Sequence, residues 1–336
     1  MAFKGMGFLV VILLSFCYVL FSPENASAAT LDVTSYGAKG DGTTDDSQAF
    51  LQAWADLCGD ASGDPTLIIP SGMTFLISPL KFVGSSCKSP NINIKALHFI
   101  GCPGLRLKDT THINSPSLHI SIKECQDADI GNLQIIAPEN SPNTDGIDIS
   151  ASSHVNIHDS SIQTGDDCVA INGGVVDINV TNVFCGPGHG ISIGSLGENG
   201  GHDTVEQVLV QNCNITGTKN GLRIKTVPNG TGYAKGIRFQ DINLVNVKNP
   251  IIIDQHYCPH SENPSELEAV QVSDVTYTNI YGSSASKLGI IFNCSEIHKC
   301  TNIVTNNIHI TGGEDLAYCK NTQGEFVDTT PNISCD

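Results

Sequence analysis

The chain has 336 residues, and its 34 acidic side chains outnumber the 17 basic ones, which gives a net charge of −17. Its arginines are confined to Arg106, Arg223 and Arg238. Phosphate backbones are bound by basic surfaces, so this composition argues against nucleic-acid binding.

The first 28 residues predict a secretory signal peptide. Lys4 gives a basic start, Phe8–Phe21 is an apolar run, and Ala26-Ser27-Ala28 is a small-residue cleavage site. The run is short for a bilayer span, although a signal anchor is the alternative. No second long apolar run follows. We therefore expect residues 29–336 to form one secreted, extracellular domain that does not bind a membrane after cleavage.

Two further features suit an exported chain. Twelve cysteines follow the signal peptide, an even number that fits an oxidising compartment. Five Asn-x-Ser/Thr sequons are candidate glycan sites, at Asn179, Asn214, Asn229, Asn293 and Asn332.

A helix is predicted soon after the cleavage site. Short polar side chains at residues 44–46 favour a helix start, because they accept hydrogen bonds from free N–H groups. An apolar face follows, formed by Phe50, Ala53, Trp54 and Leu57. We expect this helix to cover one end of the core. Calcium binding is the alternative role for the nearby aspartates, but the spacing of a calcium loop is absent.

From Thr66 onward the chain consists of short β-rich runs broken by turn residues. Five related segments recur after steps of 22, 22, 31 and 29 residues, beginning at Asp145, Asp167, His189, Asn220 and Asn249. In each one the third and fifth residues are apolar, as in a strand. The repeat predicts an all-β fold, a single-stranded right-handed parallel β-helix of roughly nine to ten coils, with the helix as its N-terminal cap.

The repeat also predicts a cluster of acids. Neighbouring parallel strands lie ~4.8 Å apart, so Asp145, Asp167 and His189 should stack, with Asp166 beside them. Glycoside cleavage needs a proton donor and a second carboxylate, and packed carboxylates keep one proton at mildly acidic pH. Arg223 and Lys225 should face outward nearby and bind a carboxylate of the substrate.

The motifs around this cluster are Asn143-Thr-Asp-Gly146, Gly165-Asp-Asp167, Gly188-His-Gly190 and Arg223-Ile-Lys225. In this order they resemble the polygalacturonases of glycoside hydrolase family 28, most closely the plant members, and the resemblance extends from Leu31 to the C-terminus. It implies a secreted enzyme of the cell wall that hydrolyses α-1,4-galacturonosidic bonds of pectin with inversion, without a metal or another cofactor. We expect its partner to be polygalacturonate or pectin, and the protein to be a monomer.

The resemblance also implies residue roles. Asp166 would be the general acid, Asp145 and Asp167 would activate water, and His189 would support them. Substrate-binding residues would be Arg223, Lys225 and Tyr257, and disulfides would join Cys168 to Cys185, Cys294 to Cys300 and Cys319 to Cys335. Stacked coils would place the carboxylates of Asp145 and Asp167 ~5 Å apart. This separation is typical of retaining enzymes, whereas the resemblance implies inversion.

The chain departs from the family near Lys95. Members usually have about 50 more residues here, whereas Asn91–Lys95 runs directly into Ala96–Ile100. Judged by the length of the repeat, about two coils are absent. The chemistry lies downstream, so we expect an active enzyme, with impaired folding or activity as the alternative.

Three other functions fit parts of the pattern. Hydrolysis of another pectin backbone would use the same acids. A pectate lyase shares the coil architecture but would need calcium and a base. A non-catalytic wall protein would keep the groove and bind pectin without releasing sugar.

Overall fold

The computed structural model describes residues 29–336 except 62–64, 71–72, 79–80, 84–86, 90–92, 96, 116, 259–266 and 315. The predicted signal peptide lies outside the described residues. Within these ranges, no helix has the length and apolar character needed to cross a bilayer.

The N-terminal helix is the α-helix Ser47–Gly59. Its buried face consists of Ser47, Ala49, Phe50, Ala53, Trp54 and Leu57. Asp45 accepts a hydrogen bond from the N–H of Ser47, while Asp46 accepts from Lys39 and Gly40 and so closes the preceding turn. Two short 3-10 helices accompany it in the described ranges, Val33–Tyr36 and Glu198–Gly200. The aspartates therefore serve as turn and helix-start residues, as the sequence predicts.

The described strands form three sheets, and their hydrogen-bonded neighbours run parallel. A nine-stranded sheet contains Leu97–Ile100, Ile120–Lys123, Ile147–Ser150, Val169–Ile171, Ile191–Leu196, Asn220–Thr226, Asn249–Asp254, Leu288–Asn293 and Leu316–Lys320. A sixteen-stranded sheet contains Thr30–Asp32, Thr66–Ile68, Lys81–Val83, Asn93–Lys95, Arg106–Lys108, Thr111–Ile113, Gln126–Gly131, Gln134–Ile136, Ser153–Gln163, Val175–Cys185, His202–Gln211, Asn214–Thr216, Thr231–Val247, Gln271–Ser284, Cys300–Thr311 and Thr322–Thr330. Asp41–Asp45 pairs with Thr74–Leu76 as a two-stranded sheet.

This architecture confirms the right-handed parallel β-helix. The third residues of the five repeated segments, Ile147, Val169, Ile191, Leu222 and Ile251, pair in one continuous register and are fully buried. Each such side chain contributes about 1.5–3 kcal/mol relative to an exposed position. The apolar periodicity that predicts the strands therefore also forms the core.

The nine-stranded sheet ends at Leu97–Ile100, near the point where the sequence departs from the family pattern. In the described residues, Thr74–Leu76 pairs with Asp41–Asp45 and not with Leu97–Ile100. The sixteen-stranded sheet continues past this point, but Asn93–Lys95 meets Thr111–Ile113 through the single pair Asn93 and Thr111. Leu76 and Ile100 are about half exposed, at 48% and 57%.

Disulfides join Cys168 to Cys185, Cys294 to Cys300 and Cys319 to Cys335, the pairs implied by the resemblance. A fourth joins Cys58, in the helix, to Cys87. Cys102, Cys125 and Cys213 are buried free thiols. Within the described chain, the cross-links thus hold the N-terminal cap, the coil of Asp167 and the C-terminal end.

Candidate active site

Backbone hydrogen bonds between successive coils fix the positions of the acids. The N–H of Gly146 donates to the carbonyl of Asp167 at 2.9 Å, and the N–H of His189 donates to the carbonyl of Asp166 at 2.8 Å. The hydroxyl of Thr144 accepts from the N–H of Gly165 at 3.0 Å. These bonds bring the segments that carry Asp145, Asp166 and His189 onto adjacent coils.

A row of residues that point away from the core crosses the nine-stranded sheet. Ser121, Asp148, Ala170, Ser192 and Arg223 are in register on five successive strands, and we call them the groove row. The coils approach closely here. Gly190 has φ +89°, and a Cβ at this position would overlap the carbonyl oxygen of Asn220. A larger residue beside His189 would therefore push the coils apart.

Asp166 and His189 form a hydrogen-bonded pair. Asp166 Oδ1 and His189 Nδ1 are 2.7 Å apart, and both side chains are partly exposed, at 22% and 28%. Burial opposes the ionisation of Asp166, but the hydrogen bond and charge of His189 outweigh it and keep the pKa of Asp166 below its ordinary value. The pair can thus share one proton at the surface of the groove.

Asp167 is buried and ion-paired. Arg223 Nη2 donates to its Oδ1 at 2.7 Å, and Lys225 Nζ donates to its Oδ2 at 3.2 Å. Ser192 Oγ donates to Oδ1 at 2.8 Å and accepts from Arg223 Nε at 2.9 Å. Asp167 is only 1% exposed, and Arg223 and Lys225 are 6% and 9% exposed. The two cations assigned to the substrate from the sequence therefore also hold a carboxylate of the protein.

Tyr257 lies at the same end of the site. Its ring centroid is 5.9 Å from Arg223 Cζ and 5.2 Å from Lys225 Nζ, which is within cation–π range. Its N–H donates to the carbonyl of Thr226 at 3.1 Å. The structure thus brings the three residues expected to bind substrate into one group next to Asp167.

Asp145 faces a different environment from its neighbours. Burial, followed by the charges of Asp166 and Asp167, raises the pKa of Asp145 to about 7. The carbonyl of Asp145 accepts from the backbone N–H of His119 at 2.8 Å, and the His119 ring Nδ1 lies 3.2 Å from it. In the ligand-free protein, Asp145 is therefore a neutral acid at mildly acidic pH.

Two residues of this site are missing from the set expected from the sequence. His119 is fully buried against Asp145, and a single histidine before an apolar strand gives little signal. Asp148 is the fourth residue of the Asp145 segment, so the strand period does place it outward. Burial first, and then the charges of Asp145 and Asp167, raises the pKa of Asp148 to about 8.

The best-placed group for a cation in the described chain is Asp166, Asp167 and His189, whose ligand atoms lie within 4.8 Å of one another. These atoms already have partners. Asp167 contacts Arg223 and Lys225, and His189 contacts Asp166. A divalent ion would stand next to two positive side chains, so the donor set does not favour a metal.

A proton-sharing acid beside a second carboxylate is the pair of groups with which glycoside hydrolases cleave their substrates. The chain belongs to glycosyl hydrolases family 28, whose family model matches residues 78–335.

The relatives agree with this assignment. A probable polygalacturonase of Arabidopsis thaliana is 43% identical over 378 residues, covering 94% of this chain and 82% of the relative. A polygalacturonase of Persea americana is 36% identical over 365 residues, covering 89% and 78%. Both stretches exceed the 336 residues of this chain, so both matches span relative residues without a counterpart here.

A solved exopolygalacturonase from Thermotoga maritima shares the fold. Its TM-score is 0.61 at 18% identity, and the match covers 90% of this chain and 92% of the other.

Proposed function

We propose that the protein is a secreted polygalacturonase that hydrolyses the α-1,4-galacturonosidic bonds of pectin. The observation that carries this proposal is the contact set around Asp167. A buried carboxylate held by Arg223 and Lys225 lies next to the partly exposed Asp166–His189 pair. Because Asp166 and Asp167 are adjacent in the chain, a single glycosidic bond in the groove can reach both.

The acid half of the reaction falls to Asp166. It would donate a proton to the leaving glycosidic oxygen, which breaks the bond between C1 and that oxygen. His189, at 2.7 Å from Asp166, would return a proton to the carboxylate for the next turnover. The lowered pKa favours the ionised form of Asp166 in the free enzyme. Proton transfer from His189 through their hydrogen bond would therefore have to precede donation to the substrate.

The base half falls to Asp167 and Asp145. Asp167 is the charged member, since it is ion-paired with Arg223 and Lys225. It would take a proton from the water that attacks C1, while Asp145 orients that water by a hydrogen bond. Attack from the face opposite to the leaving oxygen gives inversion, in accord with the expectation from the family resemblance.

Charge counting supports a uronate substrate. Arg223 and Lys225 carry two positive charges, and Asp167 neutralises one of them. One net positive charge remains beside Tyr257, enough for one carboxylate of galacturonate. A neutral sugar would leave this charge buried without a partner, which disfavours other backbones at this position.

We further propose that about two coils near residue 95 are absent, and that residues downstream retain the chemistry. Among the described residues, the nine-stranded sheet ends at Leu97–Ile100, and Leu76 and Ile100 are half exposed, which supports this proposal. Export to the cell wall, cleavage after residue 28 and a monomeric state are parts of the same proposal.

Reducing-end release from polygalacturonate tests the activity. We expect mixed oligomers or monomers to accumulate without an ultraviolet-absorbing unsaturated product, and chelator to have no effect. Proton NMR of the first product should show the inverted anomer. Unsaturated product lost with chelator would identify a lyase, and pectin binding without sugar release would identify a wall-binding protein.

Glycan occupancy should follow exposure. Asn214 and Asn332 are exposed, whereas Asn179, Asn229 and Asn293 are partly buried and hydrogen-bonded through their side chains. We expect Asn332→Gln to remove one glycan from the secreted protein, seen as a mass loss in intact mass spectrometry. Asn293→Gln is the matched control and should leave the glycan mass unchanged; a comparable loss there would show that side-chain exposure does not govern occupancy.

A further inference from the structure

Cys102 and Cys125 lie opposite each other on two adjacent coils. The strands Leu97–Ile100 and Ile120–Lys123 pair in parallel register and end two residues before these cysteines. The residues that follow the cysteines form a parallel bridge in the same register. Adjacent parallel chains lie ~4.8 Å apart, and disulfides join residues whose Cα atoms are about 4.4–6.8 Å apart. The fold thus places the two cysteines at a separation that a disulfide can span.

The two thiols are buried and in contact. Cys102 is 8% exposed and Cys125 is 2% exposed. The N–H of Cys102 donates to Cys125 Sγ at 3.3 Å, and the two side chains are hydrogen-bonded to each other. On the next coil, Ser152 Oγ accepts from the N–H of Cys125 at 3.0 Å. Hydrogen bonds on both sides therefore hold Cys125 in place against Cys102.

Two disulfides of this protein span a similar distance. The Cα atoms are 4.4 Å apart in the pair of Cys58 and Cys87, and 4.5 Å apart in the pair of Cys319 and Cys335. A separation of about one coil is therefore compatible with a disulfide in this fold.

Cys125 is the more readily ionised of the two thiols. The hydrogen bond from the Cys102 thiol outweighs burial and holds the pKa of Cys125 below its ordinary value. The same hydrogen bond, followed by burial, raises the pKa of Cys102. Because the thiolate is the attacking form of cysteine in disulfide exchange, Cys125 is the residue that would react first.

We propose that Cys102 and Cys125 are a site of oxidative modification, which a disulfide oxidant converts into a covalent bond between the coils of Leu97–Ile100 and Ile120–Lys123. The structure shows the pair in its dithiol form. The Cys125 thiolate would attack one sulfur of the oxidant, form a mixed disulfide and release one thiolate. The Cys102 thiolate, formed by loss of its proton, would then attack Cys125 Sγ and release the second thiolate. The two protein thiols lose two protons and two electrons, and the oxidant is reduced to two thiols.

This bond would hold the end coil of the nine-stranded sheet. Among the described strands, Leu97–Ile100 ends this sheet and pairs within it only with Ile120–Lys123. An end coil opens more readily than one that is paired on both sides, and its opening would admit the oxidant to the buried thiols. Once formed, the bond closes a loop across a sequence separation of 23 residues and opposes further opening. Because His98 pairs with Ser121 of the groove row, the bond also fixes the N-terminal end of the groove.

The first measurement identifies the bond. The full-length protein is incubated with oxidised glutathione as the probe oxidant, unfolded in the presence of an alkylating reagent and digested without reduction. Mass spectrometry should recover the peptide of Cys102 linked to the peptide of Cys125.

The second measurement tests what the bond does. Hydrogen exchange of the amides of Leu97–Ile100 is followed in oxidised and in reduced glutathione. In the parent, exchange should be slower by about 10-fold or more in the oxidised buffer, because the bond opposes local opening. In Cys125→Ser the exchange rate should not depend on which form of glutathione is present. This loss of the redox response separates the bond from any effect of serine on packing.

Cys213 is the matched control. It is a buried free thiol, but the register of the adjacent coils places it opposite Val183 and Ile242 and not opposite a cysteine. Cys213 should be recovered in its alkylated form from the parent after treatment with oxidised glutathione. Cys213→Ser should keep the redox response of Leu97–Ile100. Circular dichroism checks that each variant folds.

Three results would overturn the inference. The first is recovery of Cys102 and Cys125 as alkylated thiols after treatment with oxidised glutathione. The second is a bond from either cysteine to a different partner. The third is equal exchange of Leu97–Ile100 in the parent in the two buffers, since the bond would then hold nothing. None of these measurements uses a sugar substrate, so the inference stands or fails separately from the proposed polygalacturonase function.

Discussion

Asp166→Asn should lower kcat on polygalacturonate by about 10²- to 10⁴-fold, the usual contribution of a general acid. Asparagine keeps the size of the side chain and can still hydrogen-bond to His189, but it cannot protonate the leaving oxygen. Asp166 is partly exposed and lies outside the buried core, so the variant should unfold at nearly the parent temperature. Reducing-end assays and differential scanning calorimetry on the same preparation measure both effects.

The same series of variants would reveal whether Asp145, rather than Asp166, is the general acid. The raised pKa of Asp145, at about 7, makes this residue the competing proton donor at mildly acidic pH. If Asp166→Asn retains activity within about tenfold of the parent while Asp145→Asn abolishes it, Asp145 is the general acid and Asp166 serves to orient His189. Asp241→Asn, on the other sheet, is the matched Asp-to-Asn control and should retain parent activity.

The pH profile tests the same cluster independently. Asp145 has a folded-state pKa above the ordinary value of an aspartate, which disfavours its ionised form in the folded protein. Its contribution to stability is therefore present below the unfolded-state pKa and is lost as the pH rises through about 7. Ionisation also adds a negative charge next to a negatively charged substrate. Thermal stability should therefore decline as the pH rises from about 4 to about 7, and activity should fall as the pH rises through about 7.

The fold follows closely from the sequence because one periodicity controls it. Ile147, Val169 and Ile191 are aligned by the repeat in the sequence, and the same residues pair in the structure. A branched apolar residue at a fixed place in each coil has one favourable solution, which is to stack on its equivalents in the core. The capping helix is predictable for a similar reason, since its apolar face has a helical period.

The site is less predictable than the fold, because the first residue of each segment lies in a turn. The strand period does not fix the direction of a turn side chain. His189 contacts Asp166, whereas alignment by the repeat places it over Asp167. Similarly, the sequence indicates that Arg223 and Lys225 face outward but not that they reach back to Asp167. The outward direction of Asp148 can be predicted from the sequence, because the strand period turns the fourth residue of each segment away from the core.

The ion pair between Arg223 and Asp167 leads to the prediction with the largest effect on stability. Arg223 donates to Asp167 at 2.7 Å and to Ser192 at 2.9 Å, and both ionic partners are more than nine-tenths buried. Arg223→Ala would leave the carboxylate of Asp167 with Lys225 as its only remaining cationic contact among the described residues. Removal of one partner from a buried pair typically costs about 3–5 kcal/mol, so we expect a loss of about 3 kcal/mol in the free energy of unfolding.

Arg238→Ala is the matched control, because Arg238 is exposed on the sixteen-stranded sheet. It should change the free energy of unfolding by less than about 0.5 kcal/mol, as is usual for surface substitutions. Urea denaturation followed by circular dichroism measures both variants. Arg223→Lys keeps the charge but loses the fork that spans Asp167 and Ser192, so its stability should fall between those of the parent and Arg223→Ala. Equal urea midpoints for Arg223→Ala and Arg238→Ala would show that Asp167 is not held by this ion pair, and that Arg223 is free to serve the substrate alone.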